Sequence, residues 1–383
     1  MSARKVMLLA GETSGDTLGA ELVKSLIEAD PQINCIGAGG SRMENAGVDI
    51  QIDLTQHAVI GVWEAVQNYG KFKKFFNQLL STAEQCRPDA IVLIDNPGFN
   101  LRFAAALRDL AQEHIGQWRP RIIQYISPQI WAWHESRVHC IARDVDLLLS
   151  IFPFEKEWYA ERVPHLDVEF VGHPLVDRHP NPIRRSFNAP PNVLILPGSR
   201  EKEITRHLPT IVSAVAQLTR ENNVTVTIVL PNDGLVSLSK SIIPNDSKYD
   251  VQAGNLAEAL LNADVAIASS GTVTMECAWF RIPTVVLYKT SWPTYMLGRF
   301  FIKIPHIAMP NVLAGREIFP EYIQSRATAN NLTLAAARFL KEPMARETVC
   351  KDLDKVVGTL GKRGAASRAA QAIIAQMDKP MHL

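Results

Sequence analysis

The side chains best suited to chemistry lie in two short turns near opposite ends of the chain. One turn runs from Gly11 to Asp16 and the other from Ser269 to Glu276. Each follows an apolar run and precedes a helical pattern, so each is predicted to join a strand to a helix, where α/β sheets bind ligands. Glycine lets the backbone approach a ligand, and the amides of a helix N-terminus attract phosphate. The turns therefore predict a two-part substrate with at least one phosphorylated half.

A third turn, which contains Gly198, Ser199 and Arg200, is predicted to bind an anion. It follows the apolar run Val193 to Leu196, so its glycine and serine would present backbone amides. Arg200 supplies a planar guanidinium that matches phosphate oxygens. Alternatively, Arg200 caps the loop or pairs with Glu203 on the surface.

The turn at Ser269 strengthens the anion hypothesis if it borders the same crevice. Ser270, Gly271 and Thr272 would then face a pyrophosphate, and Glu276, one turn into the following helix, would accept hydrogen bonds from the two hydroxyls of a ribose. Alternatively, Glu276 only stabilises the dipole of its own helix.

Apolar runs alternate with helical patterns along most of the chain, which predicts parallel sheets built from βαβ units. Helices are predicted at Thr17 to Ala29 and Leu101 to His114. The predicted strands are Lys5 to Ala10, Ile33 to Gly37, Asp89 to Ile94, Arg121 to Ile126, Asp146 to Ile151, Val168 to Val171, Val193 to Leu196, Val224 to Leu230, Val265 to Ala268 and Thr284 to Leu287. We therefore expect an α/β protein of two Rossmann-like domains.

The proline-rich stretch from Pro174 to Pro191 is predicted to be an irregular linker, because proline lacks an amide donor and has a fixed φ. It divides the chain into domains at residues 1–180 and 181–355. Residues 356–383 are predicted to form a helical segment, part of which crosses back to the first domain.

Composition excludes several classes of function. The 383 residues include 40 basic and 39 acidic side chains, so no overall field favours a nucleic-acid partner. The 5 cysteines are dispersed and lack C-x-x-C spacing, which is typical of reduced thiols. No apolar run approaches the roughly 20 residues that span a bilayer. The chain is predicted to be soluble or peripherally bound.

Several motif tests fail, and their failure narrows the chemistry. The run from Gly37 to Arg42 lacks the last glycine of the dinucleotide fingerprint, and the run from Gly11 to Asp16 lacks the lysine of a P-loop. The histidines do not have the spacing of a metal site. We therefore expect no cofactor and a mechanism without a metal ion.

Eight motifs of this chain, taken in order, closely resemble those of the lipid A disaccharide synthase family. They lie within residues 11–16, 94–100, 125–133, 153–155, 171–174, 196–200, 270–272 and 310–317. Two positions depart from the family pattern: Thr13 stands where alanine is common, and Gly98 stands where aspartate is common. The second departure leaves Asp95 as the only carboxylate of its loop.

The resemblance implies an inverting, metal-independent GT-B glycosyltransferase with two parallel-sheet domains facing across a cleft. It would join UDP-2,3-diacylglucosamine to 2,3-diacylglucosamine 1-phosphate and release UDP. The first domain would bind the acceptor and its lipid, and the second the UDP-sugar. The resemblance also implies a cytoplasmic enzyme bound peripherally to the inner face of the cytoplasmic membrane, and it is compatible with a homodimer.

Glycosyl transfer requires a base for the acceptor hydroxyl and stabilisation of the departing pyrophosphate. Asp95 is the first choice of base and Glu12 the second; alternatively Asp95 caps a helix and Glu12 bonds a sugar hydroxyl or the loop. Arg200 and the turn from Ser270 to Thr272 would stabilise the leaving group.

Further contacts are predicted around this centre. Ser14, Gly15 and Asp16 would hold their loop or bind polar groups of the acceptor. Asn311 would contact the donor or help to close the domains. The aromatic segment from Trp131 to Trp133 would form a wall of the sugar site, or its tryptophans are structural.

Val66, Tyr69, Phe72 and Phe76 share one helical side of residues 62–80. Because the substrates that the resemblance implies carry acyl chains, part of this segment is predicted to contact lipid and the membrane. Lys71, Lys73 and Lys74 lie beside them and suit an anionic membrane surface. A part of residues 292–301 would join this surface. Alternatively, residues 62–80 form an ordinary helix with an apolar face towards the core.

Two other functions fit the same architecture. A UDP-sugar 2-epimerase would turn over a UDP-sugar without a second substrate. A non-catalytic nucleotide-sugar-binding protein would bind UDP tightly and form no product with any acceptor.

Overall fold

A computed structural model of the chain describes residues 4–55, 69–114, 118–179, 187 and 189–380, without the side chains of residues 69, 71, 72, 297, 299 and 300. The chain divides into two compact units, residues 1–178 with 360–383 and residues 179–359. The sequence had placed these boundaries at 180 and 355. Within the described ranges, no helix is both long and apolar enough to cross a bilayer.

The first unit is a seven-stranded sheet in the order β3-β2-β1-β4-β5-β6-β7, and its described strand pairs are parallel. The strands are β1 Lys5–Ala10, β2 Asn34–Gly39, β3 Asp49–Asp53, β4 Ala90–Ile94, β5 Arg121–Tyr125, β6 Leu147–Ser150 and β7 Asp167–Phe170. The helices that follow them are α1 Thr13–Ala29, α2 Ser41–Asn45, α3 Tyr69–Cys86, α4 Pro97–Glu113, α5 Val138–Asp144, α6 Pro153–Arg162 and α7 Leu175–Arg178.

The second unit is a six-stranded sheet in the order β10-β9-β8-β11-β12-β13, again with parallel pairs. The strands are β8 Asn192–Leu196, β9 Thr225–Leu230, β10 Asp250–Ala253, β11 Val265–Ser269, β12 Thr284–Tyr288 and β13 Glu321–Ile323. The helices are α8 Glu201–Glu221, α9 Asp233–Ile242, α10 Leu256–Asn262, α11 Val273–Trp279, α12 Trp292–Phe301, α13 Met309–Ala314, α14 Ala329–Lys341 and α15 Pro343–Gly358. The prediction of two Rossmann-like domains with parallel sheets is confirmed.

Strand order reverses once in each sheet, between β1 and β4 in the first unit and between β8 and β11 in the second. In open α/β sheets a crevice opens beyond the carboxyl ends of the two strands at such a point, and ligands bind there. The loops after these four strands contain Glu12, Asp95, Arg200 and the Ser270 turn. The topology therefore places all four predicted loops at the two ligand-binding edges.

Helix α16, Ala365–Asp378, returns the chain to the first unit, where it packs on α1. The carboxylate of Asp177 accepts hydrogen bonds from the amides of Gly364 (2.6 Å) and Ala365 (2.8 Å) and so caps this helix. Asp177 belongs to α7, which lies inside the stretch predicted to be irregular. That prediction was wrong for Leu175–Arg178, because residues between the prolines are free to complete a helical turn.

Candidate functional site

The predicted site loops of the first unit begin where β1 and β4 end side by side. Ala10 pairs with Ile94 in the sheet, so the loops after these residues start at the same edge. Gly11 contacts Asn96 so closely that a Cβ at position 11 would collide with the Asn96 amide. Glu12 occupies the position just before α1 and is exposed, whereas Asp95 is half-buried.

The surroundings of Asp95 favour the protonated form of its carboxyl more than water does. Burial, and then the charge of Glu12, raise the pKa of Asp95 above its usual 3.8, against the effect of one hydrogen bond from the Asn96 backbone. The position that caps α4 is taken by Asn96. The helix-capping alternative for Asp95 therefore has no support from the geometry.

Asp16 lies inside α1, because this helix begins at Thr13 and includes Ser14 and Gly15. The Asp16 carboxylate is buried and accepts three backbone hydrogen bonds, from Gly40 (2.8 Å), Met43 (3.0 Å) and Arg42 (3.1 Å). The placement of residues 14–16 in a loop was therefore wrong. Asp16 joins the start of α1 to the start of α2, and its carboxylate oxygens bond backbone amides of the protein. Ser14, by contrast, is exposed.

The two tryptophans of the aromatic segment differ in exposure. The Trp131 indole is 7% exposed, and its N–H donates to Glu155 Oε1 at 3.1 Å. Glu155 is itself buried, which raises its pKa to about 7. Trp133 is 45% exposed. Trp131 is thus a structural residue, and only Trp133 of the pair presents its ring at the surface.

The predicted site loops of the second unit include the loop between β8 and α8. Gly198 has φ of +137°, a conformation that side chains rarely adopt, and the Ser199 amide donates to Glu203 Oε2 at 2.9 Å. Arg200 is 69% exposed and lies 3.6 Å from Glu203 Oε1. The carboxylate of Glu203 therefore occupies the place that an anion would take beside Ser199 and Arg200.

The neighbouring turn, between β11 and α11, presents its middle to solvent. Gly271 and Thr272 are exposed, and Glu276 is half-buried one turn further on. The Ser270 hydroxyl donates to the Ile307 carbonyl at 2.8 Å, so this side chain connects the turn to the chain segment before α13. The Ser270 hydroxyl is thus used within the protein, whereas Gly271 and Thr272 lie at the surface.

Asn311 is fully buried at the start of α13. Its Nδ2 donates to Phe319 O (2.7 Å) and Glu321 Oε1 (2.8 Å), and its Oδ1 accepts from the amides of Ile318 and Phe319 (2.8 Å each). These bonds use both protons and both lone pairs of the amide. The predicted contact with the donor therefore has no support from the geometry, and Asn311 holds two chain segments together.

His207 was missed by sequence reasoning, and its neighbours explain why. The ring is fully buried, with Nδ1 2.7 Å from the Pro197 carbonyl and Nε2 accepting from the Lys289 amide at 3.0 Å. It thereby joins the loop after β8 to the loop after β12, on either side of the Ser270 turn. No motif marks this residue, because its partners lie far apart in sequence.

The predicted lipid-binding helix is only partly described. Val66 and the side chains of Tyr69 and Phe72 lie outside the described residues. Phe76 is half-buried and packs edge-on against Phe99 (5.5 Å between ring centroids) and Phe103 (5.3 Å), at the margin of the core of the first unit. These ring contacts support the alternative of a helix with its apolar face towards the core, and the lipid contact of Phe76 stays a prediction.

Solved structures share this architecture along nearly the whole chain. The S. aureus MnaA-UDP co-structure matches with a TM-score of 0.65 and 13% identity, covering 97% of this chain and 96% of that one. CalG4, the calicheamicin glycosyltransferase, matches with a TM-score of 0.59 and 15% identity, covering 98% and 99%. At these identities the likeness establishes the fold alone: two Rossmann-like units of the GT-B class.

Sequence comparison identifies the family within that class. A family model described as lipid-A-disaccharide synthetase matches residues 6–375. The lipid-A-disaccharide synthase of Geobacter sulfurreducens is 34% identical over 391 residues, covering 99% of this chain and 98% of the relative. The chain belongs to the lipid-A-disaccharide synthetase family. It is a glycosyltransferase of lipid A biosynthesis.

Proposed function

We propose that this enzyme transfers a diacylglucosamine unit from UDP-2,3-diacylglucosamine to the 6-hydroxyl of 2,3-diacylglucosamine 1-phosphate. The products are the β-1,6-linked disaccharide 1-phosphate and UDP. The observation that carries the proposal is Asp95, a half-buried carboxyl with a raised pKa at the switch point of the acceptor-side sheet.

The proposed step is a direct displacement with inversion. The Asp95 carboxylate accepts the proton of the acceptor 6-hydroxyl as that oxygen attacks C1 of the donor sugar from the face opposite UDP. The new C1–O6 bond forms, the bond between C1 and the UDP oxygen breaks, and its electron pair leaves with UDP. Glu12, exposed beside Asp95, is placed to bond a sugar hydroxyl and to keep the pKa of Asp95 high.

The second unit is proposed to bind UDP at its own switch point. The pyrophosphate would replace the Glu203 carboxylate at the Ser199 amide and would also meet the backbone at Gly198, Gly271 and Thr272, with Glu276 at the ribose. Two features support this: glycine occupies the positive-φ position next to the start of the 21-residue helix α8, and Gly271 and Thr272 are exposed. The N-terminal dipole of such a helix attracts phosphate.

Removing the Arg200 guanidinium is expected to weaken UDP binding and to slow transfer together. A pyrophosphate contact exists in the ground state and strengthens as charge develops, so Arg200→Ala should raise the Kd for UDP roughly tenfold and lower kcat as well. Calorimetry with UDP and steady-state kinetics measure the two effects.

Arg338→Ala provides a matched control on the same unit. Arg338 is 65% exposed and pairs with Glu342 at 3.3 Å, much as Arg200 pairs with Glu203. This variant should behave as the parent does. An unchanged UDP affinity in Arg200→Ala would place that arginine outside the donor site.

One incubation tests the reaction itself. Purified protein is mixed with UDP-2,3-diacylglucosamine and the monosaccharide 1-phosphate, and mass spectrometry follows disaccharide and UDP. Omitting the acceptor should stop UDP-sugar consumption. Turnover of the UDP-sugar alone would instead identify a 2-epimerase, and UDP binding without any product would identify a binding protein.

We also propose that the enzyme meets the inner face of the cytoplasmic membrane through α12. Three residues separate this helix from the carboxyl end of β12, the edge of the second sheet where UDP is proposed to bind, and residues 292–303 contain no acidic side chain. Among its described side chains, the large apolar ones that are exposed are Trp292 (62%), Met296 (48%) and Phe301 (44%), and the exposed residues Ile302 (45%) and Lys303 follow the helix. Exposed aromatic and apolar groups with cations suit an anionic interface, and the proposed substrates carry acyl chains.

The double variant Trp292→Ser with Met296→Ser should lower binding to phosphatidylglycerol-containing vesicles by roughly tenfold or more, because both apolar side chains leave the interface. Co-sedimentation measures the partition, and UDP affinity should not change. Leu334→Ser with Met344→Ser removes two other exposed apolar side chains of this unit (62% and 72%) and should leave binding intact. Equal losses in both double variants would reject α12 as the contact.

A further inference from the structure

The loops around Asp95 contain three residues with unfavourable backbone conformations. Asp95 has φ of +51°, Asn96 of +38° and Ile126 of +70°. Asparagine and aspartate tolerate this left-handed region, but for a β-branched residue such as isoleucine it is an outlier. Such conformations persist only where the surroundings enforce them, and they cluster at functional sites.

Two buried amide side chains provide that enforcement. Asn100 Nδ2 donates to the carbonyls of Asp95 (2.6 Å) and Ile94 (3.2 Å). Gln124 Nε2 lies within hydrogen-bonding distance of the carbonyls of Ile126 (3.1 Å), Asp95 (3.2 Å) and Tyr125 (3.4 Å). The Asp95 carbonyl therefore accepts hydrogen bonds from two side-chain amides, that of Asn100 on α4 and that of Gln124 on β5.

Gln124 is the residue that joins the two strained loops. It is fully buried on β5, where it pairs with Leu93 of β4, so its side chain reaches the ends of both strands. Turning its amide over would set Oε1 against three carbonyl oxygens, which repel it. Electrostatics thus orient Nε2 towards these carbonyls. The carbonyls of Asp95 and Ile126 both accept hydrogen bonds from this one amino group.

We infer that Gln124 is a positioning residue for glycosyl transfer: by bonding the Asp95 and Ile126 carbonyls it fixes the turn that aims the Asp95 carboxyl at the acceptor. This inference rests on the proposed role of Asp95 as base. A displacement of about 1 Å in a reacting group can cost roughly 100-fold in rate, so a residue that never touches substrate can control turnover in this way.

Gln124→Met tests the inference, since methionine fills a similar volume and has no donor. We expect kcat to fall roughly 10- to 100-fold, with the KM for acceptor and the Kd for UDP within about twofold of the parent. A relaxed turn exposes the Asp95 carboxyl to water, and the pKa of Asp95 then falls towards its usual value. The acid limb of the kcat profile should therefore move to lower pH.

Gln376→Met is the matched control. Gln376 is also a buried glutamine of the first unit whose Nε2 faces a backbone carbonyl, that of Asp146 at 3.4 Å, but it lies on α16. This variant should keep both kcat and the pH profile. Equal losses in the two variants, or an unshifted acid limb in Gln124→Met, would reduce Gln124 to a structural residue and overturn the inference.

A second variant keeps the test decisive if Gln124→Met folds poorly. Gln124→Glu preserves shape and has a donor only when its carboxyl is protonated, so its activity relative to the parent should fall as pH rises. A pH-independent ratio contradicts the inference. If the parent forms disaccharide and Asp95→Asn does not, while both Gln124 variants are fully active, the positioning role alone fails. If the parent forms no disaccharide, the proposed function fails instead.

Discussion

Asp95→Asn is expected to lower turnover roughly 100-fold or more while UDP affinity stays nearly unchanged. The amide cannot accept the hydroxyl proton, yet asparagine adopts the left-handed conformation of residue 95 as readily as aspartate does. The fold should therefore survive, and the loss should appear in kcat. Single-turnover kinetics with saturating acceptor, together with UDP calorimetry, measure both quantities.

Glu12→Gln is the informative comparison, because Glu12 belongs to the same loop pair and raises the pKa of Asp95. Removing its charge lowers that pKa, so the acid limb of the parent profile should shift to lower pH with a smaller loss of kcat than in Asp95→Asn. The opposite ranking, with Glu12→Gln inactive and Asp95→Asn active, would assign the base to Glu12.

The central strands of both sheets were predictable because they are buried on both faces. Such strands appear as continuous apolar runs, as in β4, whose five residues are all buried. The three strands missed from the sequence, β3, β10 and β13, each stand at or beside a sheet edge and carry mixed residues such as Asp49, Asp250 and Glu321. Their mixed residues left too little apolar pattern to detect, whereas the edge strand β7 was predicted to within one residue at each end.

The loops of the candidate site were predictable, but the partners of their side chains were not. Glycine and hydroxyl residues after an apolar run mark a strand-to-helix turn locally. The bonds of Asn311 to Phe319 and of Asp16 to Gly40 depend on how distant segments fold back, which no local pattern records. For each residue the sequence left a ligand contact and a structural role open, and the observed bonds are to protein.

The start of α1 illustrates the limit of helix signals. The predicted start was Thr17, because the preceding residues are polar and include Gly15, whereas the helix begins at Thr13. Tertiary contact overrides the low helix propensity of this turn. Asp16 provides that contact through its bonds to α2, so the backbone that holds Glu12 depends on a carboxylate outside the reaction.

Asp16→Ala is accordingly expected to destabilise the first unit by about 3 kcal/mol or more. Three charge-assisted hydrogen bonds are lost, and the amides of the buried residues Gly40 and Met43 lose their acceptor without access to water. For a unit of this size the loss corresponds to a fall of about 6 to 12 °C in its unfolding temperature. Scanning calorimetry measures the transition.

Asp109→Ala makes the same substitution at an exposed position on α4 and should change stability by no more than about 0.5 kcal/mol. Asp16→Asn keeps one acceptor oxygen, so its loss should lie between those of the two alanine variants. Saturating UDP should shift the unfolding temperature of Asp16→Ala by the same amount as that of the parent. The substitution lies in the first unit, whereas the proposed UDP site lies in the second. An unfolding temperature for Asp16→Ala equal to that of Asp109→Ala would show that water replaces the carboxylate at these amides. Asp16 would then not be required for stability, and its predicted contact with an acceptor sugar would stand.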